Sequence, residues 1–123
     1  MLAINIDNLT NLTVIECRGR ILRDESVSQL RDAVLTQTRA MAIMLDLSDV
    51  LAISGSGLRM LIFLNHWARQ QDIEFKLYSP SKAVVEGLSQ RGSLYDFEIV
   101  NFHALQLMLQ AMMHTDNHRP LAA

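Results

Sequence analysis

The chain has 123 residues, which suits one domain and is too short for two of ordinary size. Half of the residues are apolar and 20% are charged, which excludes a disordered tail, a collagen-like fibre and a low-complexity linker. A formal net charge of −2 supplies no chain-wide basic field for nucleic acid or an anionic membrane, and a single cysteine excludes an internal disulfide and argues against a Cys-based zinc site.

The N-terminus reads as the start of a strand. Asn5, Asp7 and Asn8 interrupt its apolar residues, and no basic stretch or small-residue cleavage site follows. The longest uninterrupted apolar runs, Met41 to Leu45 and Met60 to Leu64, fall far below the ~20 residues of a membrane span. A soluble, cytoplasmic protein without direct membrane insertion is expected.

Leu2 to Asp7 and Leu12 to Cys17 alternate apolar and polar residues around the turn-prone Asn8-Leu9-Thr10-Asn11, which predicts a β-hairpin. Gly19 punctuates the second strand, and the chain leaves through Arg20 to Arg23. Asp24 then suits an N-cap for a helix running to about Arg39, with Val27, Leu30 and Val34 on one face. Met41 to Leu47 is almost continuously apolar, as in a strand buried on both faces, with Asp46 near its end. Ser48 to Ile53 is expected to continue as a loop or short extended piece. Ser54-Gly55-Ser56-Gly57 follows and opens a helix over about Leu58 to Gln71.

Ile73 to Tyr78 alternates as a further strand. Ser79 as N-cap and Pro80 at the first helical position predict a helix from Ser81 to about Gln90, stopped at Arg91-Gly92. Phe97 to Val100 suits a short last strand, and Phe102 to His114 a last helix with Leu105, Leu109 and Met112 on one face. The domain is thus expected over residues 1–113, with 114–123 as a frayed tail. The order β-β-α-β-α-β-α-(β)-α predicts an α/β domain: one mixed sheet of four to five strands packed with about four helices.

The glycine-serine corner carries the most chemistry. A helix start has unpaired N–H groups and a partial positive charge, so Ser54 or Ser56 can cap it. Gly55 and Gly57 let another surface approach closely. A capped helix start with no further role fits the same residues. The spacing is not that of a P-loop. Along the following helix, Leu58, Leu61, Ile62, Leu64 and Ala68 share an arc that should face the sheet. Met60, Phe63 and Trp67 fall on nearly the opposite side, either as a partner surface or beneath another part of the chain. Asp46 suits a hydrogen-bonded structural carboxylate, and Cys17 a small buried hydrophobe. His114, Asp116 and His118 are metal-ligand types only by proximity, and no metal site or cofactor is expected. Paired carboxylates, a nucleophile elbow and a Ser-His-Asp order do not stand out, so an enzyme is not expected.

Taken in order, Gly19-Arg20-Ile21, Leu45-Asp46-Leu47-Ser48, Ser54-Gly55-Ser56-Gly57-Leu58, Phe75 to Pro80, Val84 to Leu88 and Gly92-Ser93-Leu94 resemble a STAS domain, a family named for sulfate transporters and anti-sigma factor antagonists. The likeness runs from about Ile4 to Leu109. It implies a non-catalytic regulatory module. In many members a loop serine is phosphorylated by a partner anti-sigma factor kinase; the unmodified form binds that kinase and frees a sigma factor. Aligned on Gly57-Leu58, this chain has Ser54 at the family's aspartate, Gly55 at its phosphorylated serine and Ser56 at its second serine. The resemblance therefore implies a protein partner, an anti-sigma factor or serine kinase of that type. The contact is expected through Ser54, Gly55, Ser56, Gly57, Leu58, Met60, Phe63 and Trp67, with Ser56 as the phosphorylation candidate. The alternative is a non-phosphorylated subunit of a larger assembly, such as a lipid-transport ATPase complex or a signalling scaffold. A third reading is a small domain that holds an anion at the glycine loop. A homodimer is compatible with each.

Overall fold

The structure is a computed structural model and describes residues 1–101 and Gln110. The elements are β1 (Leu2–Asn8), β2 (Leu12–Ile21), α1 (Asp24–Leu35), β3 (Ala42–Ile53), α2 (Gly55–Gln70), β4 (Glu74–Tyr78), α3 (Lys82–Gln90), a single 3-10 turn (Leu94–Asp96) and β5 (Glu98–Val100). The expected helix over Phe102 to His114 and the tail over 114–123 lie outside the described residues. Within the described residues the α/β class and mixed sheet are as expected, with five strands and three helices where about four were predicted.

Strand order follows chain order, β1-β2-β3-β4-β5. β1 pairs antiparallel with β2, and every later pairing is parallel. Right-handed crossovers between neighbouring parallel strands place their helices on one face of a sheet. Ile15, Cys17, Ile43, Leu45 and Leu77 accordingly share one core with Leu30, Val34, Leu61, Leu64 and Leu88 from the helices. The other face of the sheet carries a smaller cluster, Leu12, Met44 and Val100. On this face Lys76 is buried between two carboxylates, Glu74 at 3.1 Å and Glu98, which its Nζ–H also reaches. Burial works against its charge, but hydrogen bonds to Glu98 and Glu74 outweigh that and hold its pKa above the ordinary lysine value.

Two expectations change and one is narrowed. Of the loop or short extended piece expected over Ser48 to Ile53, the structure has the extended one: β3 continues to Ile53 because β2 pairs with it as far as Ile21↔Ile53. β4 pairs only with Ala42 to Asp46, so the upper half of β3, with β2, projects beyond β4. The polar residues that suggested a loop are held locally. Asp46 Oδ1 accepts from the Ser48 N–H and hydroxyl at 3.0 and 2.7 Å, and Asp49 lies 3.6 Å from Arg18. α1 begins at Asp24 with Arg23, not Asp24, as its N-cap, and ends at Leu35, short of Arg39. The buried Ser26 hydroxyl accepts from the Arg23 N–H and donates to the Arg23 carbonyl, closing that helix start. α3 is capped by Ser81, whose hydroxyl faces the Val84 N–H at 3.5 Å. Ser79 instead takes a left-handed turn at φ 46° and ties β4 to β5 by donating to the Val100 carbonyl.

Cys17 is fully buried in the main core. Desolvation, with the nearby negative charges of Asp46 and Glu16 adding to it, pushes its thiol up to about 12 from 9.0. The folded state therefore keeps a proton that the unfolded chain releases near pH 9. This contribution to stability is intact below pH 9 and lost as pH rises toward 12, at up to about 1.4 kcal/mol per pH unit. Urea unfolding between pH 8 and 11 should show this slope, and Cys17→Ala should reduce it. The native thiol should also resist alkylation at pH 8 that proceeds readily in denaturant.

Candidate functional site

The corner between β3 and α2 is built by the projecting strands. The Ser54 N–H donates to the Ile21 carbonyl at 2.9 Å, which fixes the end of β3 to the end of β2 where the helix begins. Ser54 is the N-cap: its hydroxyl accepts from the Gly57 N–H at 3.1 Å. The helix thus opens at Gly55, three residues earlier than the apolar periodicity suggested, and the serine-glycine run forms its first turn. Ser56 Oγ lies 3.0 Å from Ser54 Oγ, so one hydroxyl donates to the other. Ser54, Gly55 and Ser56 are half-buried, while Gly57 is buried.

The two glycines have different neighbours. A Cβ on Gly57 would lie 2.8 Å from Ile53 Cγ1, 3.1 Å from Ile21 Cγ2 and 3.2 Å from the Ile21 carbonyl oxygen. That packing has backbone on one side and cannot yield cheaply. A Cβ on Gly55 would meet Arg91 Nη2 at 2.8 Å and Arg59 Nη1 at 3.5 Å, both ends of flexible side chains. The space that a serine side chain would take at position 55 is held by a guanidinium group reaching over from the end of α3.

The rest of the expected surface divides. Leu58 and Met60 are buried in the core, Phe63 is 49% exposed, and Trp67 is half-buried and packed against the core. Met60 therefore does not share an outer stripe with Phe63. α2 packs on α1 and α3 as well as on the sheet, which widens its covered arc beyond that of a helix lying on one layer. The polar residues within the arc also have partners. Buried Asn65 and exposed Arg69 both donate to the Asp96 carbonyl at 3.0 Å, fastening α2 to the 3-10 turn. Asp46 is engaged by Ser48, in keeping with a structural carboxylate. Two open clefts lie away from the corner. One is between the β1–β2 turn and the segment after α1; the other is beside Asn65, Arg69 and Asp96. Among the described residues no group of three or more His, Cys, Asp or Glu side chains could hold a metal ion, and no helix is long and apolar enough to cross a membrane. His114, Asp116 and His118 lie outside the described residues.

Sequence reasoning missed Arg59 and Arg91. The corner was read from local motifs, and no local motif joins the end of α3 to the start of α2.

The sheet with its helices on one face and the capped corner at the end of the central strand define an α/β module of the kind found in anti-sigma factor antagonists. The structure of the antagonist SpoIIAA in its unphosphorylated form matches with a TM-score of 0.72 and 16% identity, over 89% of this chain and 97% of that one. SpoIIAA from Bacillus in its phosphorylated form matches with a TM-score of 0.70 and 15% identity, over 89% and 99%. A chain from the stressosome, a signal integration and transduction hub, matches with a TM-score of 0.63 and 21% identity, over 89% and 98%. A search of curated proteins finds no match. The STAS domain model matches residues 3–104, and the chain belongs to that family.

The contrast between the glycines is measurable. Gly57→Ala should destabilise by about 1–3 kcal/mol in urea unfolding. Gly55→Ala should stay within about 0.5 kcal/mol of wild type, since only Arg91 has to move. Ser54→Ala should cost about 1 kcal/mol through loss of the cap.

Proposed function

We propose that this chain is a non-catalytic regulatory module that binds a protein partner, of the anti-sigma factor or serine-kinase type, through Ser54–Leu58 and the adjoining surface of α2. The observation that carries this reading is the corner itself. It stands half-exposed at the end of two strands that outrun their neighbours, and the Ser54 cap shapes it before any partner arrives. Preorganisation of this kind lowers the ordering cost of association. Phe63 and Trp67 remain candidates for the margin of the contact, whereas Leu58 and Met60 act by holding α2 in place.

Position 55 has no hydroxyl, which leaves Ser56 as the candidate phosphate acceptor. Its hydroxyl has only to turn away from Ser54 Oγ. A phosphate would add roughly −1.5 to −2 charges at a helix start beside Arg59 and Arg91, a place that accepts negative charge without unfolding. SpoIIAA keeps its fold in both phosphorylation states, which favours an effect on docking over one on folding. The alternative, a STAS subunit that works unphosphorylated within a larger assembly, draws support from Gly55 and from the likeness to the stressosome chain.

Incubation with an anti-sigma factor kinase from the native host and ATP, followed by mass spectrometry, should place phosphate on Ser56. Ser56→Asp should lose binding to that kinase while Ser56→Ala retains it. Equal binding by wild type and both variants would refute the phosphorylation switch and leave the assembly reading.

A further inference from the structure

We infer that the outer edge of β1 is a self-association surface, on which a second copy of this chain lays its own β1 antiparallel about a twofold axis at Asn5. The inference does not depend on what the Ser54–Gly57 corner binds.

The two edges of the sheet are unequal. β5 is three residues long, and its Glu98 carboxylate is engaged by Lys76. β1 is seven residues long and contains neither lysine nor proline, and its register with β2 is unbroken from Leu2↔Gly19 to Asn8↔Thr13. Short length, lysine, proline and bulges are the devices that keep edge strands from pairing with other chains, and β1 has none of them. Asn5 to Asn8 are all exposed, and among the described residues no strand pairs with this side of β1.

The hydrogen bonds at the two ends of β1 fix which backbone groups face outward. The Met1 carbonyl accepts from the Arg20 N–H at 3.1 Å, and the Leu9 N–H donates to the Leu12 carbonyl at 2.8 Å. Both point toward β2. Direction alternates along an antiparallel strand, so Ala3, Asn5 and Asp7 face β2 as well, whereas Leu2, Ile4, Ile6 and Asn8 turn N–H and C=O away from it. The Gln29 side chain agrees, since its Nε2–H donates from α1 to the Leu2 carbonyl at 3.3 Å. Ile4 and Ile6 pair with Cys17 and Ile15, both core residues, which puts their side chains on the helix side of the sheet. Ile4 packs against the core, and Ile6, 37% exposed, stands at its margin.

This edge matches itself. A twofold axis at Asn5 sets Leu2 against Asn8 and Ile4 against Ile6, each as a pair whose backbone groups face one another. Moving the axis to Ile4 or Ile6 leaves one of the four outward residues outside the ladder. With the axis at Asn5, each Ile4 meets the Ile6 of the second copy, a favourable β-branched pair formed twice, and continues the core across the junction. On the other side Asp7 lies opposite Ala3, so no like charges are opposed. This reciprocal match of isoleucines and backbone groups singles out a second copy as the occupant. One strand pairing makes a small interface, so the dimer is expected to be weak and reversible. Because the second copy runs in the opposite direction, its Ser54–Gly57 corner lies at the opposite end of the joined sheet.

Sedimentation equilibrium of the full chain from micromolar to millimolar concentration should show reversible dimers. The Ile4 and Ile6 amides should gain protection from hydrogen exchange as the dimer forms. Ile6→Lys should raise the dissociation constant at least about tenfold by setting a charge against Ile4. Ile99→Lys, which puts the same charge at a 43% exposed position on the β5 edge, should associate like wild type. Register is tested by crosslinking with oxidised glutathione. Position 5 faces itself across the axis with Cα atoms about 4.5 Å apart, so Asn5→Cys should give a disulfide-linked dimer. Asp7→Cys, which faces Ala3, should not, and the buried Cys17 stays out of the reaction. The amide spectrum of each variant reports its folding. Association unchanged by Ile6→Lys, or crosslinking of Asp7→Cys as fast as that of Asn5→Cys, would overturn the inference. A chain that stays monomeric throughout would also overturn it and leave the edge to a strand from another protein.

Discussion

The pairing of β2 with β3 beyond the end of β4 is the constraint on which the rest depends. Without those last rungs the Ile21 carbonyl would not reach the Ser54 N–H, and α2 would have no fixed origin. Gly57 is buried because Ile21 and Ile53 arrive at it together. The half-exposed state of Ser54 to Ser56 follows from the same geometry, since the sheet has narrowed by the time the chain turns. Backbone hydrogen bonds between neighbouring strands thereby become the positional control of the Ser54–Gly57 corner. Burial at Val50, Ile21 and Leu61 secures the pairing from the helix side, where a shift of one residue would exchange the faces of β3.

Much of this was legible in the sequence because its signals are local. Alternation in Leu2 to Asp7, Leu12 to Cys17 and Ile73 to Tyr78 marks strands with unlike faces, and the apolar run from Met41 marks one buried on both. The family resemblance rested on the same short segments. The upper half of β3 was legible only as one of two alternatives because Ser48 and Asp49 are turn-forming residues in isolation. Their polarity is absorbed by Asp46 and Arg18, one contact local and the other across a strand boundary. The first turn of α2 was hidden for a related reason: glycine and serine carry low helix propensity, and only the Ser54 cap and the Ile21 anchor compensate for it. Met60 shows the limit of a helical wheel, which assumes one covered face where α2 has sheet and flanking helices around it.

The candidate site was legible as a corner and illegible in its contact with the end of α3. Ser54 and Gly57 could be placed because capping and close approach are rules of adjacent residues. Arg91 over Gly55 is a contact between residues distant in the chain, created by the way α3 crosses α2. The family pattern that the resemblance implies has a serine at this position; here the residue is Gly55, and the Arg91 guanidinium occupies the adjoining space.

The agreement of spatial with sequential strand order has a kinetic consequence. Each new strand finds its neighbour already present, and no later segment must be threaded between strands that have paired. Only the β1–β2 hairpin closes over a short stretch of chain; each parallel pairing spans a helical crossover and is the slower step. The sheet can still grow outward strand by strand, with β5 joining a β2–β3 frame that does not depend on it.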